Sequence, residues 1–166
     1  MTVILPGSYD PVTVGHLEII KRAAMEYDGV YVVVFTNPNK KYKFSVEDRV
    51  KMLAIATDPY DNVIVSYSNG LVIDYMREHN IDLIVKGYRN DEDLKWENYQ
   101  AEWNYTHGGY ETRLIRCDDS KVGISSTLAR ELIDSGSSTE GVLTKEVKDF
   151  LDEIAKKHNR DNLNGN

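Results

Sequence analysis

The chain has 166 residues, of which 41% are hydrophobic and 28% charged, with a net charge of −7. That is the balance of a globular protein able to bury a core without disulfide or metal staples. The acidic surface argues against nucleic acid or anionic membrane as the main partner, yet leaves room for a small anion in a local basic pocket. The single cysteine, Cys117, forms no internal disulfide, and MTVILPG at the N-terminus carries no basic, long apolar leader. Both point to the cytoplasm.

Short β-branched runs recur at TVIL (2–5), VYVVVF (30–35), VIVSY (63–67), DLIVK (82–86) and TRLI (112–115). Helical stretches lie between them. In the first, Leu17, Ile20, Ala24 and Tyr27 share a face. In the second, Ser45-x-x-Asp48 forms a capping box ahead of Val46, Val50, Leu53 and Ala54. Asn69-Gly70 introduces a third helix over about 71–79, and DEDLKWENYQAEWNY (91–105) is a fourth with acids in its first turn. SSTLARELIDSG and LTKEVKDFLDEIAKKH complete the helices, the latter with Val147, Phe150, Leu151 and Ile154 on one face. Alternating strands and helices predict right-handed βαβ units in an α/β, Rossmann-like, doubly wound parallel sheet of five strands, order 3-2-1-4-5. The expected single domain covers 1–157, and 158–166, ending in NRDNLNGN, reads as a disordered tail with little to bury.

In such a sheet, ligands bind beyond the carboxyl ends of the strands where strand order reverses. Two unusual loops should therefore meet: PGSYDPVTVGH (6–16) after the first strand and KGYRN (86–90) after the fourth. In the first, Gly7 and Gly15 permit close backbone approach, Asp10 is placed to bond its own downstream amides, and Thr13 is a candidate helix cap. Gly15 and His16 then sit in the first helical turn, where free N–H groups and the helix dipole favour an anion. The residues alone leave two readings open, a phosphate loop or a tight turn with an incidental surface histidine. The loop matches neither a Walker sequence nor Gly-x-Gly-x-x-Gly. Lys40, Lys41 and Lys43 after the second strand, with Lys86 and Arg89 after the fourth, form a candidate anion pocket. Ser125, Ser126 and Thr127 open a helix as either a cap or a second phosphate cradle. No zinc-like cluster or Gly-x-Ser-x-Gly elbow is present. Cations, hydroxyls and amides without a nucleophile suit transfer at phosphorus by positioning and charge stabilisation.

GSYDPVTVGH together with ISST resembles the nucleotidylyltransferase superfamily. The order and spacing of NKKYKFSVEDR, GLVIDY, KGYRNDEDLKWE and NYQAEWN resemble, more narrowly, the bacterial phosphopantetheine adenylyltransferase family over about residues 2–155. The resemblance implies adenylyl transfer from ATP to 4′-phosphopantetheine in coenzyme A biosynthesis. It also implies Mg²⁺ held through substrate phosphates, with no protein metal ligands, and a homohexamer. It implies that His16 and Lys40 are catalytic. ATP would be held by Ser8, Tyr9, His16, Gly87, Tyr88, Arg89, Glu97 and the run Lys121, Val122, Gly123, Ile124, Ser125, Ser126, Thr127. Phosphopantetheine would be held by Ser8, Lys40, Val72 and Lys86. Two departures stand out: Lys86 where the family has Arg, and Tyr9 where it has Phe. Lysine keeps the charge and loses the bidentate fork, so a weaker grip on phosphopantetheine is expected. The ISST helix start is shared with sister enzymes acting on nicotinamide mononucleotide or glycerol phosphate. NKKYKF and KGYRNDEDLKWE favour phosphopantetheine over those, and over a binding-only module.

Overall fold

A computed structural model describes residues 1–164. Strands β1 (Thr2–Gly7), β2 (Gly29–Phe35), β3 (Val63–Ser68), β4 (Leu83–Tyr88) and β5 (Thr112–Arg116) form one parallel sheet in the order β3-β2-β1-β4-β5. Helices α1 (Val14–Glu26), α2 (Val46–Thr57), α3 (Val72–His79), α4 (Asp91–Gly108), α5 (Ser126–Asp134) and α6 (Lys145–Asn164) connect or flank the strands. The expected topology therefore holds.

The pleat divides the core. Val3 and Leu5 of β1 join Val30, Val32 and Val34 of β2 in one cluster with α1 and α2, and with Ala129 and Val147 from α5 and α6. Ile4, Val33 and Ile84 point the other way, onto Tyr75 and Met76 of α3. The near-continuous apolar run of β2 is what a strand covered on both faces requires. Each of these fully buried aliphatic side chains contributes about 1.5–3 kcal/mol through burial.

Three boundaries differ from the sequence reading. Pairing of Gly87 with Ile115 and Tyr88 with Arg116 carries β4 to Tyr88, so the first half of KGYRN is strand and not loop. On α1 the buried face is Ile19, Ile20 and Ala23, with Leu17 and Tyr27 beside it, whereas Ala24 is only half-buried. At the C-terminus, α6 runs through Asn164, across most of the segment expected as a tail; every described residue from Ala155 onward is exposed. Residues 165 and 166 of that segment lie outside the described residues. Among the described residues no helix is long and apolar enough to cross a membrane.

One detail of register creates the site. β1 pairs with β2 along its whole length, from Thr2–Gly29 to Gly7–Val34, but with β4 only at Val3–Leu83 and Ile4–Ile84. Beyond Ile4 the two central strands part. Pro6 has no amide proton to extend the ladder, and its carbonyl instead accepts from Lys86 Nζ at 3.4 Å. The gap opens at the carboxyl ends of the strands.

Candidate active site

A cleft of about 460 Å³ fills that gap. Its first wall is the loop from Gly7 to His16 and the start of α1. Thr13 caps α1, accepting from the His16 amide at 3.4 Å, and His16 answers: its Nδ1 accepts the Thr13 amide proton at 2.9 Å. The histidine is thus the fourth corner of a reciprocal capping box, a role usually taken by Glu or Gln. Because Nδ1 is an acceptor, the ring is neutral and its proton rides on Nε2. Burial, with Lys86 and Arg89 nearby, lowers the His16 pKa from its ordinary 6.5 to about 4. The Tyr9 ring packs edge-on against His16, with centroids 5.0 Å apart. Its hydroxyl donates to the Leu5 carbonyl at 2.9 Å. Tyr9 adopts φ of 47°, a left-handed conformation that costs a bulky residue energy and is held by its surroundings. Gly7 makes room for it: a Cβ there would stand 3.1 Å from the Tyr9 ring.

The second wall is the end of β4 and the first turns of α4. Lys86 lies 3.4 Å from Glu97 Oε1, and burial is the main influence raising the Glu97 pKa, against the opposing pull of Lys86. Arg89 is gripped by Asp93, Nε to Oδ2 at 2.9 Å and Nη2 to Oδ1 at 3.3 Å. The far side comes from the start of α5. The three hydroxyls read as a cradle divide their duties here. Ser125 Oγ caps Leu128, Ser126 Oγ donates to the Pro11 carbonyl at 2.8 Å, and Thr127 Oγ1 accepts from Arg130. Ser126 is therefore a brace, its proton already committed, while the other two hydroxyls keep a proton to donate.

Lys40, Lys41 and Lys43 from the loop after β2, Lys86 at the end of β4 and Arg89 just past it, Lys121 before α5 and Arg130 on α5 all line the cleft, whose lining acids are Asp10, Asp93 and Glu97. A protein of net charge −7 thus concentrates positive charge at one sheet edge, which suits polyphosphate. Of the expected site residues, Ser8, Tyr9, His16, Lys40, Lys86, Gly87, Tyr88, Arg89, Glu97, Lys121, Ile124, Ser125, Ser126 and Thr127 all line the cleft. Val72, Val122 and Gly123 do not. Val72 starts α3 and packs with the Ile4 cluster on the other face of the sheet, while Val122 and Gly123 sit in the turn before α5. Lys43 lines the cleft but is paired with Asp134, so it is not a free cation. Cys117 is a buried thiol whose pKa burial raises, a packing residue with no thiolate character. Gly87 has a packing reason of its own: a Cβ there would meet Ile19 Cγ1 at 2.7 Å, so glycine lets α1 lie close on β4.

Three residues, Asp93, Arg130 and Arg49, escaped sequence reasoning, and for Asp10 the expected partners were the wrong ones. Asp93 and Arg130 are the partners just described. Asp10, 4% exposed, does not bond the amides next to it; it accepts from Lys43 N at 2.9 Å and Phe44 N at 3.0 Å, over thirty residues away. Arg49, 1% exposed, donates to the carbonyls of Phe44 and Ser8 and to Thr36 Oγ1, each at 3.1 Å. The Tyr42 ring lies 3.9 Å from its guanidinium carbon. The available signal was a lone cation at the same helical face as Val46, Val50 and Leu53.

Residues 4–132 match the model of the cytidylyltransferase-like family. Three relatives bear the name phosphopantetheine adenylyltransferase. That of Clostridium novyi (strain NT) is 38% identical over 155 residues, covering 92% of this chain and 96% of the relative. That of Thermobifida fusca (strain YX) is 35% identical over 160 residues, covering 94% and 98%. That of Symbiobacterium thermophilum is 41% identical over 141 residues, covering 84% and 87%.

Proposed function

Since the chain belongs to the cytidylyltransferase-like family, and within it to the phosphopantetheine adenylyltransferases, we propose that it joins ATP to 4′-phosphopantetheine, giving dephospho-coenzyme A and pyrophosphate. It is a nucleotidyltransferase of coenzyme A biosynthesis. A phosphate oxygen of phosphopantetheine attacks the α-phosphorus of ATP. The new P–O bond forms as the bond from that phosphorus to the β-bridging oxygen breaks, and pyrophosphate departs with the electron pair.

The observation that carries the mechanism is the neutral, proton-bearing His16 in a cation-lined cleft without a nucleophile of its own. Its Nε2–H is a fixed donor for the oxygens of the α-phosphate, on which charge builds in the transition state. Amides at the start of α1 add to that donor set, and the Tyr9 ring keeps the imidazole in place. Arg89, with Thr127 and Ser125, serves the nucleotide phosphates. Lys40 neutralises charge between the two substrates. Lys86, steadied by Glu97 and the Pro6 carbonyl, serves the acceptor phosphate as a point charge and not as a fork.

Mg²⁺ fits this site only as a passenger on the nucleotide. Among the described residues no cluster of His, Cys, Asp or Glu is arranged to hold a metal, and Asp10, Asp93 and Glu97 are each committed to an N–H group or a cation. When bound to the phosphates it supplies charge neutralisation there.

The reading extends to a homohexamer working in the cytoplasm, where a free thiol such as Cys117 stays reduced. Support for self-association lies on α4. Trp96 and Tyr99 are 58% and 63% exposed and stack on each other, with the exposed Trp103 on the same helical face; an aromatic surface of this kind suits a second copy of the chain. Trp96→Ser with Tyr99→Ser should lower the mass found by sedimentation; an unchanged mass would remove α4 from the interface.

The deciding experiment is pyrophosphate release with ATP, Mg²⁺ and 4′-phosphopantetheine. Nicotinamide mononucleotide with ATP, and glycerol phosphate with CTP, run alongside. Release with phosphopantetheine alone is expected. Activity only with another acceptor would overturn the substrate, and silence with all three would overturn the enzyme.

A further inference from the structure

We propose that Asp10 is a positioning residue for the transfer: by docking the loop that carries Lys40 onto the phosphate loop, it sets where the Lys40 ammonium stands relative to His16. This rests on the adenylyl-transfer reading above.

The segment between β2 and α2 has little of its own to hold it. Residues 37–41 are exposed, and the Lys40 ammonium stands over the Tyr42 ring, 5.6 Å from its centroid. A polar, exposed loop without anchors opens easily. The anchors sit on either side of Lys40. Before it, Asn37 accepts the Asn39 amide at 2.9 Å and donates its own amide to the Tyr42 hydroxyl at 2.9 Å. After it, the buried Asp10 carboxylate gives one oxygen to each of two consecutive amides, Lys43 and Phe44. Asp10 is held in turn by Arg130, whose Nη1 donates to the Asp10 carbonyl at 2.9 Å and lies 3.9 Å from its carboxylate. Arg49 joins the same two loops from below, through the Ser8 and Phe44 carbonyls.

The chemistry requires a carboxylate. Here each N–H meets its own Asp10 oxygen, and asparagine would keep one such oxygen while turning its own N–H groups on the second amide. Asp10 thus acts through Lys40 and touches no reacting atom itself.

The test pairs Asp10→Asn with Lys40→Ala in the full chain. Asp10→Asn is expected to lose about 10- to 100-fold in kcat/KM for phosphopantetheine, the scale of a displaced catalytic group, with ATP affinity unchanged. In the Lys40→Ala background the same substitution is expected to cost nothing more, because the group it positions is gone. Multiplying losses, or a fully active Asp10→Asn, would overturn the proposal. Amide hydrogen exchange of the wild-type protein provides a second arm needing neither variant nor turnover. Lys43 and Phe44 are expected to exchange slowly although they lie in a loop, and exchange at free-loop rates would overturn the clamp. A wild-type protein with slow exchange but no activity on phosphopantetheine would strike the reaction reading and leave the clamp standing.

Discussion

The two walls of the cleft are built on opposite plans. The wall from Gly7 to His16 is tied down from all sides. Tyr9, Asp10 and Thr13 are buried, the Tyr9 hydroxyl donates to the Leu5 carbonyl on β1 and the His16 Nδ1 accepts from the Thr13 amide, and the Val14 amide is bonded to the Val142 carbonyl at 2.9 Å. The wall built from β4 and α4 is open. α4 has no buried residue at all, its aromatics face outward, and its contributions to the cleft, Asp93 and Glu97, are ion-pair partners of Arg89 and Lys86. The lesson is a division of labour. On the reading proposed above, the transition-state donor His16 sits on the wall that is tied down, while Arg89 and Lys86, which would receive phosphates, sit on the wall held by ion pairs.

His16→Ala removes the fixed donor and should produce the largest loss, about 10²–10³-fold in kcat, with ATP affinity by calorimetry little changed. A near-normal kcat would erase the distinction between the walls. Gly87→Ala strikes the seam between them, driving a Cβ against Ile19. It should destabilise by about 1–3 kcal/mol, lowering Tm by roughly 2–12 °C for a chain of this size. An unshifted melting curve would mean that α1 and β4 slide freely on each other. Asp93→Asn loosens Arg89 on the open wall, where a half-exposed pair is worth about 0.2–1 kcal/mol; KM for ATP should move by a few-fold at most, with kcat intact.

The smallest expected effect is none. With its pKa at about 4, His16 stays neutral down to roughly pH 5, so kcat should show no step near 6.5. Between about 4 and 6.5 the unfolded chain carries a proton on His16 that the folded chain does not. Acidifying through that window therefore destabilises the fold, and above it His16 contributes no pH dependence. A step in kcat at 6.5 would show that the ring protonates in place and breaks its bond with Thr13.

What the sequence made legible follows the same divide. The strands announced themselves through β-branched runs, and the reversal at β1 and β4 fixed where two odd loops must meet, so most of the closed wall could be placed in advance. Thr13 as a cap was readable because capping is local. The long-range ties were not. Asp10 carries a side chain suited to its neighbours' amides, and nothing local says that its partners lie at Lys43 and Phe44. Ser126 looks like any hydroxyl at a helix start until the Pro11 carbonyl is seen beside it. On the open wall, LKWENYQAEWNY sets Trp96, Tyr99 and Trp103 on one helical face and Leu94, Ala101 and Tyr105 on the opposite one, so periodicity does not say which side meets the protein. Val72 was assigned by resemblance alone, and the chain places it across the sheet from the cleft.

The bond from the Thr13 amide to His16 also bears on heat and on buffers. Since Nδ1 is already satisfied and Nε2 already carries its hydrogen, nucleotide arrival asks the imidazole neither to take up nor to release a proton. Enthalpies of ATP binding compared among buffers of different ionisation heat should carry no contribution from His16.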